Sequence, residues 1–138
     1  AIDFNNLNLE ILDITTNASP DMFVNLTGIS FTKRILDDMN YPANVQYAID
    51  AGNKVFAIRA CKVNDAKAVP FSKPKSEQKT TLSSNNKNLV ETIRALMKDE
   101  WKPDARYKVT GFYMAENKTM VFDLSEAVEE EFRTKEEK

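Results

Sequence analysis

Apolar residues recur along this chain with two periods, and the points where one gives way to the other mark out its elements. Leu7, Leu9 and Ile11 alternate with polar neighbours, which predicts a strand over residues 7–14. The cluster Thr16-Asn17-Ala18-Ser19-Pro20-Asp21 reads as a turn before a second strand at 22–26. Past Gly28 the period lengthens. Ser30 is placed as a helix N-cap, and Phe31, Ile35, Leu36 and Met39 form one apolar stripe. Asn40-Tyr41-Pro42 ends that helix, because proline disfavours helical backbone in the residue before it. Val45, Tyr47 and Ile49 then alternate with Gln46, Ala48 and Asp50, and Ala51-Gly52-Asn53 turns the chain into a return strand over 54–62. Gly52 or Asn53 is expected to take positive φ in that turn. Val69-Pro70 is an extended piece confined to a sheet edge, since proline cannot donate to a ladder.

Residues 72–88 are polar and basic, and Thr80-Thr81-Leu82 is the one stretch among them with strand character. After it the earlier pattern returns. Asn88-Leu89-Val90-Glu91 has capping-box spacing, Leu89, Ile93, Leu96 and Met97 form a second helical stripe, and Trp101 packs at or beyond its end. Tyr107, Val109 and Gly111 alternate, Ala115-Glu116-Asn117-Lys118 turns the chain, and Met120, Phe122 and Leu124 return. Met39, Tyr41 and Pro42 correspond to Met97, Trp101 and Pro103, and Asn53-Lys54 to Asn117-Lys118. Self-similarity of this kind sets an architecture. The expected fold is therefore α+β, with two pseudo-repeated strand-helix-hairpin halves, at about 22–62 and 85–124, forming a small sheet or barrel with two short helices. A basic linker at 72–84 joins the halves within a single domain over 1–138. The acidic end, 125–138, is helix-permissive and reads as a terminal helix or frayed end, or as a contact to the basic middle of a neighbouring subunit.

Composition fits this picture: of 138 residues 42% are hydrophobic and 29% charged, enough for a packed core without disulfides. Cys61 has no partner in the chain, and no signal peptide or membrane-length apolar run is visible, so a reducing, cytoplasmic setting is expected. The net charge of −2 is unevenly spread. Residues 1–53 carry 2 basic and 7 acidic side chains, residues 54–108 carry 13 and 6, and residues 109–138 carry 4 and 8. A basic middle between acidic ends suits an anionic partner, although a lysine-rich loop is also simply well solvated.

Catalytic constellations are scarce. The chain has no histidine, which removes the commonest general base and every Ser-His or Cys-His pair. Cys61 on a half-buried strand reads as packing, unless Arg59 or Lys62 approaches closely enough to lower its pKa. Asp37-Asp38 and Glu129-Glu130-Glu131 are consecutive and point apart, and 3 glycines write no phosphate-binding loop. No enzymatic role, metal or cofactor is expected on these grounds. Lys33, Arg34, Lys54 and Arg59, with Lys73, Lys75 and Lys79 of the linker, are the candidate contacts to a protein or nucleic-acid partner.

The run from Phe23 through Leu36 and on to Ile58-Arg59 resembles swapped-hairpin domains of the AbrB/MraZ type. Ser30 to Lys33, Leu36, Tyr41, Val45 and the Gly52 turn carry that resemblance, which covers mainly residues 22–60. The chain also resembles small proteins of Gram-positive bacteria and their mobile elements. Members of the AbrB/MraZ family bind DNA as intertwined assemblies, through basic residues near the first strand and the hairpin. The resemblance thus implies a DNA-binding regulator. Residues 1–30 contain no lysine or arginine, however, so the expected first-strand surface lacks phosphate-neutralising charge. The sequence favours a protein-interaction or accessory module, self-associating as a homodimer or engaging another protein, with DNA binding as the alternative and no membrane partner.

Overall fold

Period-2 alternation becomes a single curled antiparallel sheet, and two amphipathic helices fill its concave side. The computed structural model describes residues 4–8, 19–78 and 81–130. The strand expected at 7–14 lies almost wholly outside these residues, as do Lys79 and the end of the acidic tail. The elements run β1 (Asp21–Val24), β2 (Ile29–Phe31), α1 (Lys33–Met39), β3 (Asn44–Asp50), β4 (Val55–Cys61) and β5 (Val69–Pro70). They continue with β6 (Leu82–Ser84), α2 (Lys87–Leu96), β7 (Arg106–Met114), β8 (Thr119–Asp123) and β9 (Val128–Glu130). Spatially the strands lie in the order β5-β3-β4-β8-β7-β1-β2-β6, with β9 against β7.

The long strand β7 holds the curl. Its first part, Tyr107 to Thr110, pairs with β1, and its second part, Gly111 to Met114, pairs with β8. Gly111 stands at the change of partner. A Cβ there would come within 2.7 Å of the Met120 sulfur and 2.8 Å of the Phe122 ring, so only glycine lets these core side chains lie against the bend. Gly28 serves the other end in the same way, since a Cβ would sit 2.8 Å from the Ser84 carbonyl of β6.

Inward-facing residues of the strands and the stripes of both helices make one core. Met22, Val24, Phe31, Phe56, Ile58, Val109, Met120 and Phe122 are fully buried, and Ile35, Met39, Leu89, Val90, Ile93 and Met97 close over them. Each large side chain so buried contributes roughly 1.5–3 kcal/mol. The Phe56 ring lies between Tyr47 and Phe122, with centroids 5.7 and 6.0 Å away.

The convex face is less polar than a solvated sheet usually is. Phe112 of β7 pairs with Val121, Val121 with Ala57 and Ala57 with Ala48, so one apolar row crosses four strands. Phe112 is 71% exposed at the end of this row, and Met114 is exposed beside it.

Several expectations change at the element ends. Ser30 does not cap α1, because it is paired with Phe23 and Ser83 inside the sheet. Thr32 occupies the cap position, but its hydroxyl donates to the Ser19 carbonyl and accepts from the Asp21 N–H, tying the helix start to β1. Asn86, not Asn88, caps α2, its side chain accepting from Leu89 N–H at 3.1 Å. In the first hairpin it is Lys54, at φ 58°, that takes the left-handed backbone, while Asp50 accepts from Asn53 and shapes the turn. Glu129 and Glu130 lie in β9 instead of a helix, because pairing with β7 puts them beside Lys102 and Lys108.

The two helix-hairpin segments meet at two places, β2 pairing with β6 and β4 with β8. Their surroundings differ. The outer edge of β3 takes β5 at Asn44 and Val45 only, whereas β7 is flanked by β1. The linker between the segments is part of the fold at both ends. Ser72 is buried with its hydroxyl donating to the Pro42 carbonyl, Gln78 is buried and accepts from Lys73 N–H, and β6 joins the sheet.

Candidate functional site

The cations singled out in the sequence occupy three separate places. Lys33, Arg34, Lys73 and Lys75 share the α1 side of the molecule with acidic residues. Arg34 Nε donates to Asp38 at 2.8 Å, and Lys75 lies 4.0 Å from Asp37. Lys54 is occupied elsewhere: its ammonium donates to the Leu96 carbonyl at 2.7 Å, closing the last turn of α2. Arg59 lies on the convex face and lines a hollow of about 550 Å³ with Met114, Glu116, Lys118 and Thr119, where the two signs of charge alternate. Cys61 is not activated, since desolvation pushes its thiol pKa up and Asp65 adds to the effect. Among the described residues, no three acidic or cysteine side chains gather as metal ligands.

A more selective surface forms around Trp101. Met97 ends α2, and the Trp101 N–H donates to its carbonyl at 2.7 Å, closing one further turn beyond the helix. The indole then lies flat on Tyr107, with centroids 4.3 Å apart and planes 9° from parallel. Tyr107 is fixed in turn by its hydroxyl, which accepts from Lys102 N–H at 2.7 Å. Trp101 is only 8% exposed and borders a cleft of about 390 Å³ between α2 and the turn after β1. Leu26, Val90, Ala95 and Pro103 complete its apolar surface.

Arg94 builds the back of this cleft. Its guanidinium donates to the carbonyls of Asn25 at 3.0 Å and Val24 at 3.4 Å, and on the other side to Ala105 at 2.7 Å and Lys102 at 3.4 Å. One side chain thus joins α2, the end of β1 and the segment leading into β7. Its Cζ also lies 6.0 Å from the Trp101 ring centroid, a cation over an aromatic face. Burial lowers the pKa of Arg94 from its ordinary value, yet an arginine keeps its charge in protein surroundings. The four acceptors are neutral carbonyls, so that positive charge is solvated but not cancelled.

The rim carries further cations. Lys98 follows Arg94 at helical spacing along one face, beside the acidic Glu91, and Lys102 closes the far side. Lys102 Nζ reaches Glu129 at 3.2 Å, and that hydrogen bond raises its pKa. Beyond Trp101 lies a second hollow of about 260 Å³, bordered by Glu100 and Glu129. Trp101 therefore borders a basic-rimmed cleft and an acidic-rimmed one. The first can take an apolar group carrying negative charge at its edge.

Sequence reasoning found Trp101 only as a packing residue and passed over Arg94, Lys98 and Lys102. The spacing of 91, 94 and 98 was the one available signal, and it also describes any solvated helix face. What singles out Arg94 is a set of carbonyls up to 70 residues away. No helix among the described residues is long and apolar enough to cross a membrane. Comparison of the chain with family models, with curated proteins and with solved structures found no match.

Proposed function

We propose that the protein is a non-enzymatic interaction module that holds an acidic segment of a partner protein, seating a large apolar side chain of that segment against Trp101. The observation that carries this reading is the apolar surface formed by Leu26, Val90, Trp101 and Pro103 under a rim where Arg94, Lys98 and Lys102 outnumber Glu91. Clefts that bury an aromatic or aliphatic anchor and surround it with charge supply both affinity and orientation. Charge of this sign also steers an acidic partner toward the cleft. DNA binding draws less support, because Arg34 is paired with Asp38 and the other candidate cations do not converge on one face with it.

Trp101 is the only tryptophan, so its fluorescence reports the cleft directly. Titration with a synthetic peptide alternating leucine with glutamate should shift Trp101 emission saturably. The Lys98→Glu variant should weaken binding about tenfold, equivalent to about 1.4 kcal/mol. A peptide with lysine in place of glutamate should leave the emission unchanged. Equal responses to both peptides, or none to either at about 1 mM, would overturn the reading. Retardation of duplex DNA that falls steeply with salt would establish the nucleic-acid alternative instead.

A further inference from the structure

The sheet ends on one side with β3, and that edge is only partly covered. β5 pairs with Asn44 and Val45, and on the side toward Tyr47 its pairing begins only at Val69. The Phe71 N–H still donates to the Ala43 carbonyl, which shows which edge of the strand faces outward at odd-numbered positions. Backbone groups alternate between the two edges of an antiparallel strand, so the N–H and C=O of Tyr47 and Ile49 point the same way as those of Ala43. Among the described residues, nothing accepts from or donates to them. An open row of this kind is a template for another strand.

We propose that residues 47–49 of β3 pair with the same residues of a second copy of this chain, antiparallel about a two-fold axis at Ala48. This goes beyond the Trp101 reading and uses none of its residues. The register follows from what the edge offers. Centred on Ala48, Tyr47 faces Ile49 of the copy, and the two residues exchange N–H···O=C bonds on each side of the axis, four in all. Centring on Tyr47 instead would set Ile49 against Val45, whose outward groups β5 already uses.

The side chains agree with this register. On one face Tyr47 meets Ile49, which is 48% exposed, an aromatic–β-branched pair of the kind that stabilises sheets. On the other face Ala48 meets Ala48, small enough for close approach, and the pairing stops at Gln46, whose amide donates to the Ala66 carbonyl of the segment leading into β5. The convex apolar row, which ends at Ala48, then continues through both copies from Phe112 to Phe112. Such an isologous contact closes on itself, since both copies use the same edge. It is short beside a standard interface, so the dimer belongs with weak, concentration-dependent contacts.

Sedimentation of the whole chain from about 10 µM to about 1 mM should show the mass rising from 15.7 kDa toward twice that value. Amide exchange should slow at Tyr47 and Ile49 as concentration rises. Ile49→Pro removes an outward N–H without touching the β4 ladder, and Ile49→Lys places charge in the contact while keeping the backbone intact. Both should weaken association at least about tenfold, and the second serves if the first fails to fold. Phe112→Ser should leave association unchanged. A constant mass at all concentrations overturns the proposal, as does concentration-independent exchange at both amides. Loss of association in Phe112→Ser but not in Ile49→Lys also overturns it, in favour of face-to-face stacking.

Discussion

The two helices begin on similar sequence and end by different means. α1 stops where Asn40 takes left-handed backbone at φ 60°, and the N–H groups of Asn40 and Tyr41 return to the Asp37 and Leu36 carbonyls. Nothing from a distant part of the chain is needed. α2 has no left-handed residue at its end, and its Leu96 carbonyl is satisfied by Lys54 from the other hairpin, 42 residues away in sequence. Their arginines differ in the same sense. Arg34 makes an i,i+4 contact to Asp38 at the surface, while Arg94 spans three segments. A locally finished helix is replaceable, whereas one finished by the tertiary fold makes that fold depend on single side chains.

Substitution separates these cases. Arg94→Ala is expected to cost about 3 kcal/mol in denaturant unfolding, because it strands carbonyls from β1 and from the approach to β7. A cost under about 1 kcal/mol would show that water replaces the guanidinium without loss. The next effect lies in the first hairpin, where burial pushes the Tyr47 hydroxyl up to about 12 from an ordinary 10. A raised folded-state pKa leaves stability intact below pH 10 and removes it progressively from there up to about 12. At about pH 11.5 the wild-type chain should therefore have lost about 2 kcal/mol more than Tyr47→Phe, relative to pH 8, in parallel denaturant titrations.

Lys54→Met keeps the aliphatic stem but removes the bond to Leu96, at a cost of about 1 kcal/mol. Lys118→Met in the second hairpin should be close to neutral, since Lys118 also has left-handed backbone, φ 52°, but an exposed side chain. Well below the Lys54 effect, Arg34→Ala should change stability by about 0.4 kcal/mol, and less as salt rises. Comparable losses for Arg34→Ala and Arg94→Ala would remove the distinction between the helices.

Much of the fold was legible because its elements advertise themselves locally. The alternation of Val45, Tyr47 and Ile49 placed β3, the stripe through Ile93 and Met97 placed α2, and Pro70 marked β5 as an edge piece. The errors came where two local solutions compete. Ser30 and Thr32 both suit a cap, as do Asn86 and Asn88, and only pairing with Phe23 and Ser83 commits Ser30 to β2. The run through Glu129 and Glu130 has helical propensity, yet β7 supplies both a ladder and opposite charges. The site was largely illegible for a stronger reason. Charge counts pick out exposed lysines, but an arginine committed to neutral carbonyls looks the same in sequence as one facing water.

The double role of β7 also fixes the order in which the molecule can be made. β1 has two neighbours in the sheet, β2 at once and β7 only after Asp21 meets Thr110, 89 residues later. At synthesis rates of roughly 5–20 residues per second, the apolar face of Met22 and Val24 stays unclosed for about 5–20 s. The core can therefore condense only when most of the chain has emerged, which makes this a slow, late-folding protein despite its two simple hairpins.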